Sequence, residues 1–216
     1  MQNLLEKNQA LLYKSTVAEL IETTNWIGNQ GWCPATGGNF SAKLDNNLCI
    51  VTASGVDKTN LQPNDFLTVK LTGEVHSGTK KPSAETLLHT ALYNLSDNIG
   101  AVLHTHTVAA TILSKRGKEK LAIHGYEMQK ALNSVNSHEE TVFLPILDNN
   151  QDMIQLTAEL QKRWQTEIFH YGFLVRGHGL YAWGENLKQA QRHLEGIEFL
   201  LNCELNNLLL EARLVN

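Results

Sequence analysis

The chain has 216 residues, 42% hydrophobic and 19% charged, with a net charge of −4 and a pI near 6.1. That is enough apolar side chain for a real core and too little charge for a disordered chain; the length suits one domain over residues 1–216. No basic stripe marks a nucleic-acid surface, no polybasic helix marks a membrane surface, and no apolar run is long enough to span a bilayer.

Residues 1–14 are polar and mixed, without the apolar centre of a signal peptide. Cys33, Cys49 and Cys203 are odd in number and widely spaced. They fit neither a disulfide framework nor a CxxC zinc module, so a reducing cytoplasm is the expected compartment. Cys33 lies next to a Gly-rich motif, yet it reads as a small core hydrophobe.

Val17, Leu20, Ile21, Thr24 and Ile27 recur at helical spacing. They predict a helix over 16–30, opened by a Thr16/Glu19 capping box and stopped at Gly31. Two β-like runs, 40–44 and 48–52, flank Asp45-Asn46-Asn47 as a hairpin would. A strand over 66–71 and a Gly turn at Gly73 follow. Leu87, Leu88, Ala91, Leu92 and Leu95 mark the inner side of a helix over 84–95. A strand over 101–106 runs into a helix over 107–114, and residues 125–132 read as a short helix. Strands are expected at 141–147, 171–176 and 180–183. Helices are expected at 152–164 and 186–210, the latter capped by Asn186. Hairpins early and αβ alternation later predict a mixed, largely antiparallel sheet covered by helices.

Residues 101–106 read Ala-Val-Leu-His-Thr-His. On a strand, alternate side chains share a face, so His104 and His106 stand side by side as two corners of a metal site. The third corner is His178, which follows an apolar strand and sits between Gly177 and Gly179; glycines let the backbone turn sharply there. His76, His124, His138, His170 and His193 have no partner at ligand spacing, and His89 stands on an apolar helix one turn from Glu85; all six read as packed or solvated residues, His89 the nearest to a site.

Three small-residue loops supply anion-binding groups: Thr36-Gly37-Gly38-Asn39-Phe40-Ser41, Thr52-Ala53-Ser54-Gly55, and Pro82-Ser83-Ala84 at a helix start. None is a Walker A loop or a Rossmann fingerprint, which argues against ATP and NAD. Two carboxylates offer acid/base chemistry. Glu85 opens its helix, and Glu127 lies in Gly125-Tyr126-Glu127-Met128. Each equally suits a solvated helix residue.

Gly-Gly-Asn-x-Ser, Thr-x-Ser-Gly, Pro-Ser-x-Glu, His-x-His and Arg-Gly-His-Gly, in that order, resemble the class II aldolase/adducin family over residues 18–204. The resemblance implies a class II aldolase/adducin-like three-layer α/β/α fold with a mixed, largely antiparallel central sheet. It implies a homotetramer and one zinc ion per subunit on His104, His106 and His178. It places a sugar phosphate on Gly38, Asn39, Ser41, Thr52, Ser54, Gly55 and Ser83, with no nucleic acid or membrane partner. Four stretches, residues 32–41 (opening Trp32-Cys33-Pro34-Ala35), 52–58 (closing Val56-Asp57-Lys58), 82–89 (Pro82-Ser83-Ala84-Glu85-Thr86-Leu87-Leu88-His89) and 126–132 (Tyr126-Glu127-Met128-Gln129-Lys130-Ala131-Leu132), are most similar to the family's methionine-salvage dehydratases. Those enzymes imply zinc-assisted enolisation and loss of water, with Glu127 as acid/base. A pKa raised by partial burial beside Tyr126 and Met128 would suit that role. The alternative is a fuculose- or rhamnulose-1-phosphate type aldolase, whose pattern implies Glu85 instead. The adducin heads, which are binding modules, lack an intact set of metal histidines, whereas all three stand here.

Overall fold

The chain is described from a computed structural model, which covers residues 2–214. Met1, Val215 and Asn216, at the ends of the expected domain, lie outside them. Among the described residues, nine strands form one sheet: β1 (Asn39–Lys43), β2 (Leu48–Thr52), β3 (Phe66–Lys70), β4 (Val75–Ser77), β5 (Ala101–Thr105), β6 (Lys120–Ile123), β7 (Val142–Leu147), β8 (Gly172–Val175) and β9 (Gly179–Gly184). Their order across the sheet is β4-β3-β2-β1-β5-β9-β8-β7-β6. Only β7 and β8 run parallel among the described strands.

Among the described residues, five α-helices cover the two faces: α1 (Gln2–Asn29), α2 (Thr86–Leu95), α3 (Val108–Arg116), α4 (Met153–Trp164) and α5 (Leu187–Leu214). Strand alternation divides the core accordingly. Phe40, Leu103, Leu180 and Ala182 pack with Leu20 of α1, Leu113 of α3 and Leu194 of α5. Val102, Phe173, Tyr181 and Trp183 pack with Leu88 and Leu92 of α2 and Leu156 and Leu160 of α4. The three-layer arrangement and the mixed sheet are those expected.

Several boundaries differ from the expectation. The first helix has no cap at Thr16. It begins at Gln2, and the Thr16 hydroxyl donates to the Leu12 carbonyl 2.9 Å away, inside the helix. Residues 2–15 contain neither Gly nor Pro, and their Leu, Glu, Lys, Gln and Ala carry the helix back through them. Residues 125–132 hold a 3-10 turn over Glu127–Ala131 rather than an α-helix. The edge strand β6 has no counterpart in the sequence reading. Its four residues, Lys-Leu-Ala-Ile, are too short to show a period. Asp152 and Asn186 do cap α4 and α5, accepting from backbone N–H groups two or three residues on.

Candidate metal centre

β5 runs through the middle of the sheet, between β1 and β9. His104 shares the side of Val102, toward α2, and is fully buried there. Its neighbours across the ladder are Asn39 and Tyr181, and the Tyr181 ring stacks on it at 4.0 Å. His106 lies just past the strand end, and His178 comes from the β8–β9 turn; both are half-buried. Gly177 takes φ +64 in that turn, a conformation that favours glycine. A Cβ on Gly38 (φ +82) would sit 2.6 Å from the His104 carbonyl, so only glycine lets the 36–41 loop lie against β5.

The three Nε2 atoms form a triangle. His104 and His106 are 2.9 Å apart, His106 and His178 3.0 Å, and His104 and His178 3.4 Å. Nitrogens at about 2.0–2.1 Å from a tetrahedral ion stand roughly 3.3 Å apart, so the triangle is of the size a divalent ion needs. The His104 Nδ1–H donates to the Leu180 carbonyl at 2.9 Å. That leaves the Nε2 lone pair facing the centre, as a ligand requires. Burial, and then His106 and His178 beside it, hold the His104 pKa well below its ordinary value. Burial, with His178 and Lys58 nearby, lowers that of His106 to about 4. Both rings are therefore neutral at pH 7, the form that binds metal.

Glu85, at the start of α2, closes the centre. Its Oε1 is 3.2 Å from His178 Nε2 and its Oε2 3.6 Å from His104 Nε2. The Asn39 amide donates to Oε2 at 2.5 Å and lies 3.3 Å from the Ser83 hydroxyl. The second loop meets this group through an Ala53–Pro82 bridge and a Ser54 N–H bond to the Lys81 carbonyl. Lys58, only 2% exposed, donates to the carbonyls of Thr36 and Val56 and ties the first two loops together. Ser54 and Gly55 are exposed and Ser83 is half-buried, so these three can meet a ligand.

Two loop residues are placed otherwise than expected. Ser41 and Thr52 are fully buried. The Ser41 hydroxyl bonds His89 Nδ1 (2.7 Å) and the Tyr93 hydroxyl (2.6 Å), and the Thr52 hydroxyl accepts the Phe40 N–H at 3.1 Å. Neither hydroxyl has surface to offer a phosphate. Glu127 also differs from its expectation. It is 74% exposed and pairs with Lys130 at 2.7 Å and His138 at 3.8 Å, and contacts none of the three histidines. The Lys130 hydrogen bond outweighs burial and lowers its pKa, the reverse of the expected direction. Cys33 is a buried thiol pushed up to about 12 by burial, consistent with packing rather than reactivity.

Three further residues around the centre carry little signal in the sequence. His89 is 1% exposed, with Nε2 2.5 Å from Asn39 Oδ1. Its one signal was a position one helical turn after Glu85. Tyr181 stacks on His104, and its hydroxyl is buried. Burial, and then the neighbouring Glu85, raise its pKa well above the ordinary value. Glu198 is fully buried on α5, behind β5; on an amphipathic helix a glutamate reads as solvated.

The chain's relatives share this architecture. The model for the class II aldolase and adducin N-terminal domain matches residues 18–205. A methylthioribulose-1-phosphate dehydratase of Pectobacterium carotovorum is 53% identical over 90% of this chain and 95% of that protein. One of Serratia proteamaculans is 50% identical over 90% and 96%. The L-fuculose-1-phosphate aldolase of Thermus thermophilus superposes with a TM-score of 0.73 at 25% identity, over 94% of this chain and 98% of that one. With its mixed sheet, its Gly-Gly-Asn loop against β5 and a family match across nearly the whole length, the chain belongs to the class II aldolase and adducin N-terminal domain family.

Proposed function

We propose that the chain is a zinc-dependent methylthioribulose-1-phosphate dehydratase, a carbon–oxygen lyase of methionine salvage working in the cytoplasm. It would convert 5-methylthioribulose 1-phosphate to 5-methylthio-2,3-dioxopentyl phosphate and water. One observation carries the reading: the ion-sized triangle of His104, His106 and His178 with Glu85 at 3.2 Å, in a chain about half identical to proteins of that name.

His104, His106 and His178 would hold the zinc ion, which when bound would supply a Lewis acid for the ketone and so acidify the adjacent C–H. Ser54, Gly55 and Ser83 hold the phosphate, with Gly38 and Asn39 behind them; the loop N–H groups suit its charge. Glu85, fixed beside the histidines, takes the C3 proton. The C4 hydroxyl leaves with a proton as water, and the remaining enol tautomerises to the 2,3-diketone. Glu127 is the acid expected to protonate that hydroxyl. In one chain it pairs with Lys130 away from the histidines, so this role needs a neighbouring copy, in a homotetramer, to bring it over the centre.

Zinc-loaded protein is incubated with 5-methylthioribulose 1-phosphate, fuculose 1-phosphate and rhamnulose 1-phosphate in turn. A diketone phosphate from the first alone supports the dehydratase. An aldehyde plus dihydroxyacetone phosphate would replace it with the aldolase.

A further inference from the structure

Glu85 owes its orientation to Asn39, and Asn39 is itself held from behind. The Asn39 Nδ2 atom is 2.5 Å from Glu85 Oε2 and its Oδ1 atom 2.5 Å from His89 Nε2. His89 Nδ1 is 2.7 Å from the Ser41 hydroxyl, which is 2.6 Å from the Tyr93 hydroxyl. The carboxylate settles the direction of every bond, because an ionised carboxylate only accepts. Asn39 must turn its NH2 to Glu85 and its oxygen to His89. His89 must then carry its proton on Nε2, leaving Nδ1 to accept from Ser41. Ser41 in turn accepts from Tyr93. His89 and Tyr93 come from α2, and Asn39 and Ser41 from β1. The relay therefore joins helix and strand behind the one carboxylate that touches His104 and His178 among the described residues.

We propose that His89 is a positioning residue of the reaction: its Nε2–H fixes the Asn39 amide and, through it, the Glu85 carboxylate beside the three histidines. This rests on the reading of Glu85 as the group that moves the substrate proton. A histidine that merely filled the core beside Tyr181 would need neither a fixed tautomer nor an N–H at this one position.

The test uses the zinc-loaded chain in two parts. First, nitrogen–proton NMR of the ¹⁵N-histidine-labelled wild type should show His89 as the neutral Nε2–H tautomer; an Nδ1–H tautomer overturns the proposal. Second, His89→Leu should lower kcat by about 10- to 100-fold with KM and zinc content unchanged. His89→Gln, whose amide N–H occupies the place of Nε2–H, should recover most of the loss. Equal losses in Leu and Gln, an unchanged kcat in Leu, or a loss that tracks zinc content each overturn it. If His89→Leu fails to fold, the tautomer and the Gln variant still decide. A wild type that makes no diketone would sink the proposed reaction, while the tautomer would still report on the relay.

Discussion

Glu198 gives the sharpest test of the electrostatics behind the centre. Its two carboxylate oxygens accept the hydroxyls of Thr105 and Thr107 at 2.8 and 2.9 Å. Burial outweighs these bonds and raises its pKa from 4.5 to about 7. Between those values the folded chain keeps a proton that the unfolded chain has lost. Stability therefore falls as pH rises from about 4.5 through about 7, and the full cost of the ionised form is present above 7. At 1.36 kcal/mol per pH unit the gap is worth about 3 kcal/mol, of which about 2.5 develops between pH 5 and pH 8. Glu198→Gln keeps the size and one acceptor but cannot ionise. Urea unfolding of both proteins, metal-free and at one protein concentration, isolates this group because the histidine titrations cancel in the difference. The variant should gain about 2.5 kcal/mol on the wild type between pH 5 and pH 8. A difference that stays flat across that range would refute the raised pKa.

Glu127→Gln should keep zinc and melting temperature but lose turnover, since the surface pairs it gives up are worth about 0–1 kcal/mol; turnover at the wild-type rate would remove Glu127 from the reaction. Gly38→Ala forces a Cβ to 2.6 Å from the His104 carbonyl at φ +82. It should lower both zinc affinity, measured by competition with a chromogenic chelator, and thermal stability. Exhaustive chelation should abolish turnover and lower the melting temperature, both restored by zinc; full activity in zinc-free protein would rule out the metal role.

Period-2 patterning made β1, β2, β3 and β5 legible, and with them the shared face of His104 and His106. His178 was legible because its flanking glycines mark a turn aimed at one point. What stayed hidden lies in contacts between residues far apart in the chain. Ser41 and His89 are 48 residues apart and Thr105 and Glu198 are 93 apart, and no local pattern encodes either pairing. Ser41 and Thr52 looked like phosphate ligands because a hydroxyl in a Gly-rich loop suits one. Their strand positions instead turn them into the layer beneath. Glu85 and Glu127 were chemically equal as sequence, and only the register of Asn39 against His104 separates them within one chain.

The segment 104–107 shows how one strand serves two jobs. His104 and His106 turn toward the centre, while Thr105 and Thr107 turn the other way and grip the two oxygens of Glu198. His104 has little need of that grip, because its own residue is paired with Asn39 on one side and Tyr181 on the other. His106 lies past the end of the ladder, and its N–H bonds only the Trp32 carbonyl, at 2.9 Å. Glu198 clamps the residue before it and the residue after it. Losing the clamp should therefore loosen His106 more than His104. Glu198→Ala should weaken zinc binding by about 10- to 100-fold, whereas Glu198→Gln, which still bridges both threonines, should weaken it far less. Equal zinc affinity in Ala, Gln and wild type would mean that the loop at Trp32 holds His106 unaided.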